Sequence, residues 1–164
     1  HVLNPQLDPG TSILVTGPPL TGKRALALDI LAEGTRVGEA AIVVTTKDGA
    51  TCVLEDYGDR VDIENRPVSI IDCATRQQGV SEVRDDDRVK YTSSPVDMTG
   101  IGIKLSETLE SFYQGHGVDR TRVMVHSLST LLMYSDLQTV CRFLHVLPGP
   151  FQCVDGLRLL RIYY

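Results

Sequence analysis

The sequence predicts an α/β fold, a three-layer core around a mostly parallel sheet with a β-hairpin at its C-terminal end. Three observations predict it. Short β-branched runs alternate with helical periodicity from Ser12 to Leu147. The runs are apolar at consecutive positions, as strands covered on both faces must be. A glycine-rich turn joins the first run directly to the first helix.

Ser12–Thr16 (SILVT) reads as the first buried strand, flanked by Gly10 and Gly17. Lys23–Glu33 follows as a helix with Leu26, Ile30 and Leu31 on its apolar face, and Gly34 is its expected stop. Ala40–Thr45 (AAIVVT) is the second strand, Ala50–Tyr57 a short helix closing at Gly58, and Val68–Asp72 (VSIID) the third strand. Ala74–Val96 holds the acidic run Asp85–Asp87 and Pro95, and is expected to be a long solvated excursion. Helical spacing returns at Ile101–Gln114, with Ile103, Leu105, Leu109 and Phe112 as core candidates. Arg122–His126 is the fourth strand. Asp136–Leu147 is a helix whose N-cap is Ser135 or Asp136. Pro148–Gly149–Pro150 breaks it. Phe151–Val154 and Leu157–Ile162 flank Asp155–Gly156, a hairpin signal expected to add an antiparallel edge.

Composition narrows the function classes. The 164 residues suit a single domain over 1–164, although the chain opens on His1 and segments near 148–151 are expected to be missing or shortened. A net charge of −5 with only four lysines argues against a general nucleic-acid binder. Low lysine with excess acid hints at a salt-adapted cytoplasm. No apolar run approaches the ~20 residues that cross a bilayer, and no signal pattern opens the chain. A cytoplasmic protein without membrane contact is therefore expected. Cys52, Cys73, Cys141 and Cys153 form no CxxC pair and read as small buried hydrophobes, not as zinc ligands.

One segment carries chemistry. Gly17-Pro18-Pro19-Leu20-Thr21-Gly22-Lys23-Arg24 matches GxxxxGK and departs at the following position. The two glycines allow the backbone to curl so that its N–H groups face one anion. The helix starting at Lys23 adds its positive end, and the Lys23 ammonium reaches outer phosphates. A plain connector between strand and helix is the other reading. The hydroxyl usual at position 24 ligates Mg²⁺, whereas arginine has donors only. The expectation is weaker metal dependence, with nucleotide binding retained and no residue set for a metal.

Arg122–Leu132 (RVMVHSLSTLL) resembles the Walker B strand of RecA/KaiC-like ATPases, with His126 where that pattern has Asp. The similarity extends to VTTKD, IIDC, SSPVDMTGIGIKLSETL and SLSTLLMYSDLQTVCRFLHVL, covers roughly residues 10–147, and is greatest toward haloarchaeal KaiC-like proteins, sometimes labelled HTR-like. It implies a RecA-like core in which the first and fourth predicted strands are central and separated by one other. It implies ATP or ADP as ligand. It also implies that the water-activating acidic pair maps onto Lys47 and Asp48. Arg24, His126 and Lys47 thus alter three roles at once, and no catalytic residue is assigned. His126 alternatively reads as a satisfied crevice residue. Asp72 is either a polar contact in the crevice at the strand ends or a cap of the next turn. His116 and His145 carry no functional claim.

The expected function is a nucleotide-binding regulatory or signalling protein with little or no hydrolysis, working with a protein partner or as a homo-oligomer. Two other readings stay open: an ATPase completed by a neighbouring subunit, and a scaffold that binds no nucleotide.

Overall fold

The computed structural model describes residues 12–80, 82–146 and 158–163. Its elements in chain order are β1 (Ser12–Leu14), α1 (Lys23–Arg36), β2 (Ala40–Thr45), α2 (Ala50–Gly58), β3 (Val68–Asp72) and β4 (Val89–Tyr91). These are followed by α3 (Met98–His116), β5 (Arg120–His126), α4 (Leu128–Tyr134), α5 (Leu137–Val146) and β6 (Arg158–Tyr163). The strands form one sheet in the order β1-β6-β5-β2-β3-β4, and every neighbouring pair is parallel.

Side-chain alternation along the strands makes the three layers. Ala40, Ile42 and Val44 of β2, Ile71 of β3 and Val123 and Val125 of β5 pack on one face. Their partners are Ile101, Leu105 and Leu109 of α3, Leu131 of α4 and Val140 of α5. Ala41, Val43, Val68, Ile70 and Met124 point the other way, onto Leu28 and Leu31 of α1 and Val53 and Tyr57 of α2. All six residues of β2 are buried, which is why the strand reads as an unbroken apolar run. Each large side chain among these contributes roughly 1.5–3 kcal/mol on burial. Tyr57 takes its hydroxyl into the core, where it meets Thr35 Oγ1 at 2.5 Å, and burial pushes its pKa up to about 12.

Several expectations are corrected. Gly34 does not stop α1, which runs on to Arg36. A Cβ at Gly34 would lie 2.5 Å from Arg122 Nε, and that side chain is pinned by Glu39 and by the Ile30 carbonyl. Gly34 is therefore a close-approach residue inside the helix. The excursion after β3 contains β4, which pairs with β3. Its acidic run does structural work: Asp86 Oδ1 accepts the N–H groups of Arg88 and Val89, turning the chain onto the sheet. Two helices, α4 and α5, stand where one was expected. In α4 only Leu131 is buried, so no amphipathic period announces it. Asp136 caps α5 by accepting the Thr139 N–H at 2.7 Å. Ile103 faces outward, while Leu105, Leu109 and Phe112 are core.

The strand expected at a hairpin edge is β6, inside the sheet and parallel to both neighbours. The Asp155–Gly156 signal specifies a turn, not the partner of the strand after it. Phe151–Val154, Asp155–Gly156 and the joint expected near 148–151 lie outside the described residues. β1 is an edge strand and largely exposed, not central or buried, although β6 does separate it from β5 by one strand. No helix among the described residues is long and apolar enough to cross a membrane.

Candidate functional site

Parallel pairing brings all strand C-termini to one rim. Leu14 is level with Tyr163, Tyr163 with Val125, Thr45 with both His126 and Asp72, and Asp72 with Tyr91. Open α/β sheets place their ligands outside this rim.

At the β1 end, Gly17–Gly22 carries the chain from the sheet edge to α1. Gly22 caps the helix in the left-handed region (φ 82°), and Leu20 also takes positive φ (61°) with its side chain fully in solvent. A Cβ at Gly22 would meet nothing within 4 Å, so backbone conformation and not space selects glycine there. Thr21 Oγ1 donates to the Pro18 carbonyl at 2.8 Å. Lys23 Nζ donates to the Gly17 and Pro18 carbonyls at 2.5 and 2.7 Å, folding its ammonium across the loop. The first N–H groups of α1 have no acceptor within the helix. No acidic residue lies in its first turn and no side chain caps it. Loop, ammonium and helix end thus form a compact positive region. Of the predicted residues, Gly17, Pro18, Pro19, Leu20, Thr21 and Gly22 form the loop, and Lys23 and Arg24 open the helix.

At the middle of the rim, the ends of β2 and β5 are laced together. Thr46 Oγ1 donates to the Ser127 carbonyl (2.9 Å) and accepts from the Ser127 N–H (2.8 Å). Thr45 Oγ1 and the Asp48 backbone bond reciprocally, at 2.7 and 3.2 Å. This holds Asp48 over the end of β5, where its Oδ2 lies 2.8 Å from His126 Nε2. The same oxygen is 3.4 Å from Arg24 Nε, and the far end of the Arg24 guanidinium pairs with Asp56 of α2. Burial lowers the pKa of His126. The Asp48 hydrogen bond works against that shift, and the positive charges of Arg24 and Lys47 add to it.

Two of the three positions that depart from the ATPase pattern, Arg24 and His126, therefore meet in space, at Asp48. Arg24, Asp48 and His126 share one carboxylate oxygen, while Lys47 beside them is exposed. Asp56 gave no sequence signal, being one acidic residue on a helix flank. Asp72 is a cap: fully buried, it accepts from the N–H groups of Ala50, Ala74 and Thr75 and from Thr75 Oγ1. The cysteine expectation holds at Cys73 alone among the described three, where burial pushes the thiol up to about 12. Cys52 and Cys141 are exposed, on the outer sides of α2 and α5, and Cys153 lies outside the described residues. His116 meets the edge of the Phe112 ring, and His145 lies in α5.

A cavity of about 370 Å³ opens at the other end of the rim, between Arg76, Tyr91, Asp97 and Lys104. Lys104 there pairs with Asp85, and Asp97 accepts the Gly100 N–H. The β1 end carries the glycine loop and the Lys23 ammonium folded across it, and we take it as the candidate site.

A model of a family of unknown function, DUF7504, matches residues 10–161. No curated protein matches the chain. Among solved structures, an uncharacterized protein from Pyrococcus horikoshii, crystallised in complex with an unknown peptide, is similar with a TM-score of 0.70 and 12% identity. The match covers 96% of this chain and 69% of that one. At that identity the likeness speaks for the α/β fold alone.

Proposed function

The chain belongs to the DUF7504 family, and we propose that it binds a nucleotide such as ATP or ADP through Gly17–Arg24 as a regulatory or signalling protein that hydrolyses it little or not at all. The single observation that carries this reading is the occupancy of the corner beside the loop. A guanidinium, a carboxylate and an imidazole close on one another there, through Arg24, Asp48 and His126. Phosphoryl transfer depends on charge stabilisation and on an oriented nucleophile. Asp48, the carboxylate that faces His126 there, is committed to two side chains, and Asp56 to Arg24. The resemblance to RecA/KaiC-like proteins and the slot of one strand between β1 and β5 support the same reading.

A protein partner fits this role. Leu132, Met133, Tyr134 and Leu137 expose large apolar surface on consecutive turns of α4 and α5. The Pyrococcus horikoshii protein was crystallised with a peptide.

The test is calorimetric titration of ATP and ADP into the wild type and Lys23→Ala, with a phosphate-release assay alongside. Binding that Lys23→Ala weakens at least about tenfold (1.4 kcal/mol), with turnover far below the ~1–100 per second of kinases, is the expected result. Turnover in that range, lost in Lys23→Ala, would replace this reading with that of an ATPase using substituted groups. The triple change Arg24→Thr, His126→Asp and Lys47→Glu is expected to raise turnover.

A further inference from the structure

A divalent cation is what a phosphate loop of this pattern ordinarily works with, and the residues beside this loop do not suit one. Mg²⁺ takes oxygen ligands in octahedral geometry. The side chains reaching this corner are Arg24, Asp48, Asp56 and His126, with Lys23 folded across the adjoining loop. Two of the five are cations, and guanidinium and ammonium groups cannot coordinate a metal. Of the two carboxylates beside Arg24, Asp48 already faces a guanidinium and an imidazole through the same Oδ2, and Asp56 pairs with the guanidinium. No group of three His, Cys, Asp or Glu side chains among the described residues could hold a metal ion.

We propose that Arg24 takes the place of the divalent cation, so that this loop binds polyphosphate without metal. The inference rests on the nucleotide reading above and goes beyond it by naming the ligand's form, the metal-free polyanion. Three observations carry it. Arg24 is in the first turn of α1, next in sequence to Lys23, whose ammonium folds across the loop. Its guanidinium is held by two carboxylates from separate elements, Asp48 after β2 and Asp56 of α2. These are the acceptors that phosphate oxygens resemble. A guanidinium presents planar paired donors that match phosphate oxygens and keeps its charge at every working pH. Phosphate arriving at the loop exchanges one set of anionic oxygens for another around Arg24. The Lys23 ammonium exchanges the Gly17 and Pro18 carbonyls in the same way.

The experiment is calorimetric titration of the full chain with ATP, and separately with inorganic tripolyphosphate, in excess EDTA and in MgCl₂. The wild type is expected to bind both ligands in EDTA within about twofold of its affinity in MgCl₂. Arg24→Thr, which restores the usual hydroxyl, is expected to lose about tenfold or more in EDTA, or 1.4 kcal/mol, and to regain affinity with MgCl₂. Arg24→Lys keeps the charge without the fork and is expected to fall between, and thermal melts confirm that each variant is folded. Wild-type binding that weakens more than about tenfold in EDTA overturns the proposal while leaving nucleotide binding intact. So does an Arg24→Thr variant that binds in EDTA as the wild type does. Absence of binding in both buffers overturns the nucleotide reading itself, and this proposal with it.

Discussion

Two aspartates stand beside each other on the C-terminal rim of the sheet, and they are held in opposite ways. Asp72, at the end of β3, is fully buried and satisfied by three backbone N–H groups and one hydroxyl. Asp48, just after β2, is about one-third exposed and shared between two side chains, His126 and Arg24. Backbone donors cannot leave without unfolding a turn, so Asp72 fixes the entry to α2 permanently. Side-chain donors can be exchanged for others by bond rotation alone. One carboxylate is part of the frame; the other is part of a contact that bond rotation can rearrange.

The largest expected effect breaks the frame. Asp72→Ala orphans buried N–H donors at the start of α2 and should lower the stability of the fold by about 3 kcal/mol. Urea denaturation measures it, and a loss under about 1 kcal/mol would erase the distinction. The same substitution at the shared carboxylate, Asp48→Ala, should cost less than about 1 kcal/mol, because its ion pair is partly solvated. A loss as large as that of Asp72→Ala would make Asp48 a second framing residue. The smallest effect is a pH dependence. Burial holds the His126 pKa below its ordinary 6.5, so below about that pH the unfolded chain takes a proton that the folded one refuses. Stability is fully present above that pH and falls as pH drops toward the folded value. His126→Gln should flatten this slope in urea midpoints measured from neutral to mildly acidic pH. Asp48→Asn should steepen it, since Asp48 is what opposes the shift. An unchanged slope in both variants would show that His126 does not titrate in this range.

The interior of the fold was legible in the sequence and its margins were not. β2 and β3 were found at their observed bounds, because strands buried on both faces write continuous apolar runs. β4 has one buried residue, Val89, and follows an acidic run, so its pairing with β3 came from turn hydrogen bonds that no periodicity records. The register of β6 depends on what it pairs with, which local signals do not encode. At the site, the loop and the departures at Arg24, Lys47 and His126 were readable one by one. That Arg24 and His126 converge on a single oxygen of Asp48 was not, because the contact spans α1, the end of β2 and the end of β5. Asp56 could not have been found from its neighbours in sequence. The role of Asp72 as a cap was one of two readings, and the four donors decide it.

The position of β6 between β1 and β5 has a consequence for the order of assembly. β2, β3, β4 and β5 come early in the chain and can pair with one another as soon as they are made. β1 is made before any of them, yet its neighbour in the sheet is β6, which follows every other element in chain order. Closing so long a loop is entropically slow. The strand that carries the glycine loop thus waits without a sheet partner through the synthesis of everything between. The glycine loop acquires its rigid base only when β6 slides into its slot, which makes the completion of this end of the sheet a late event in the life of each molecule.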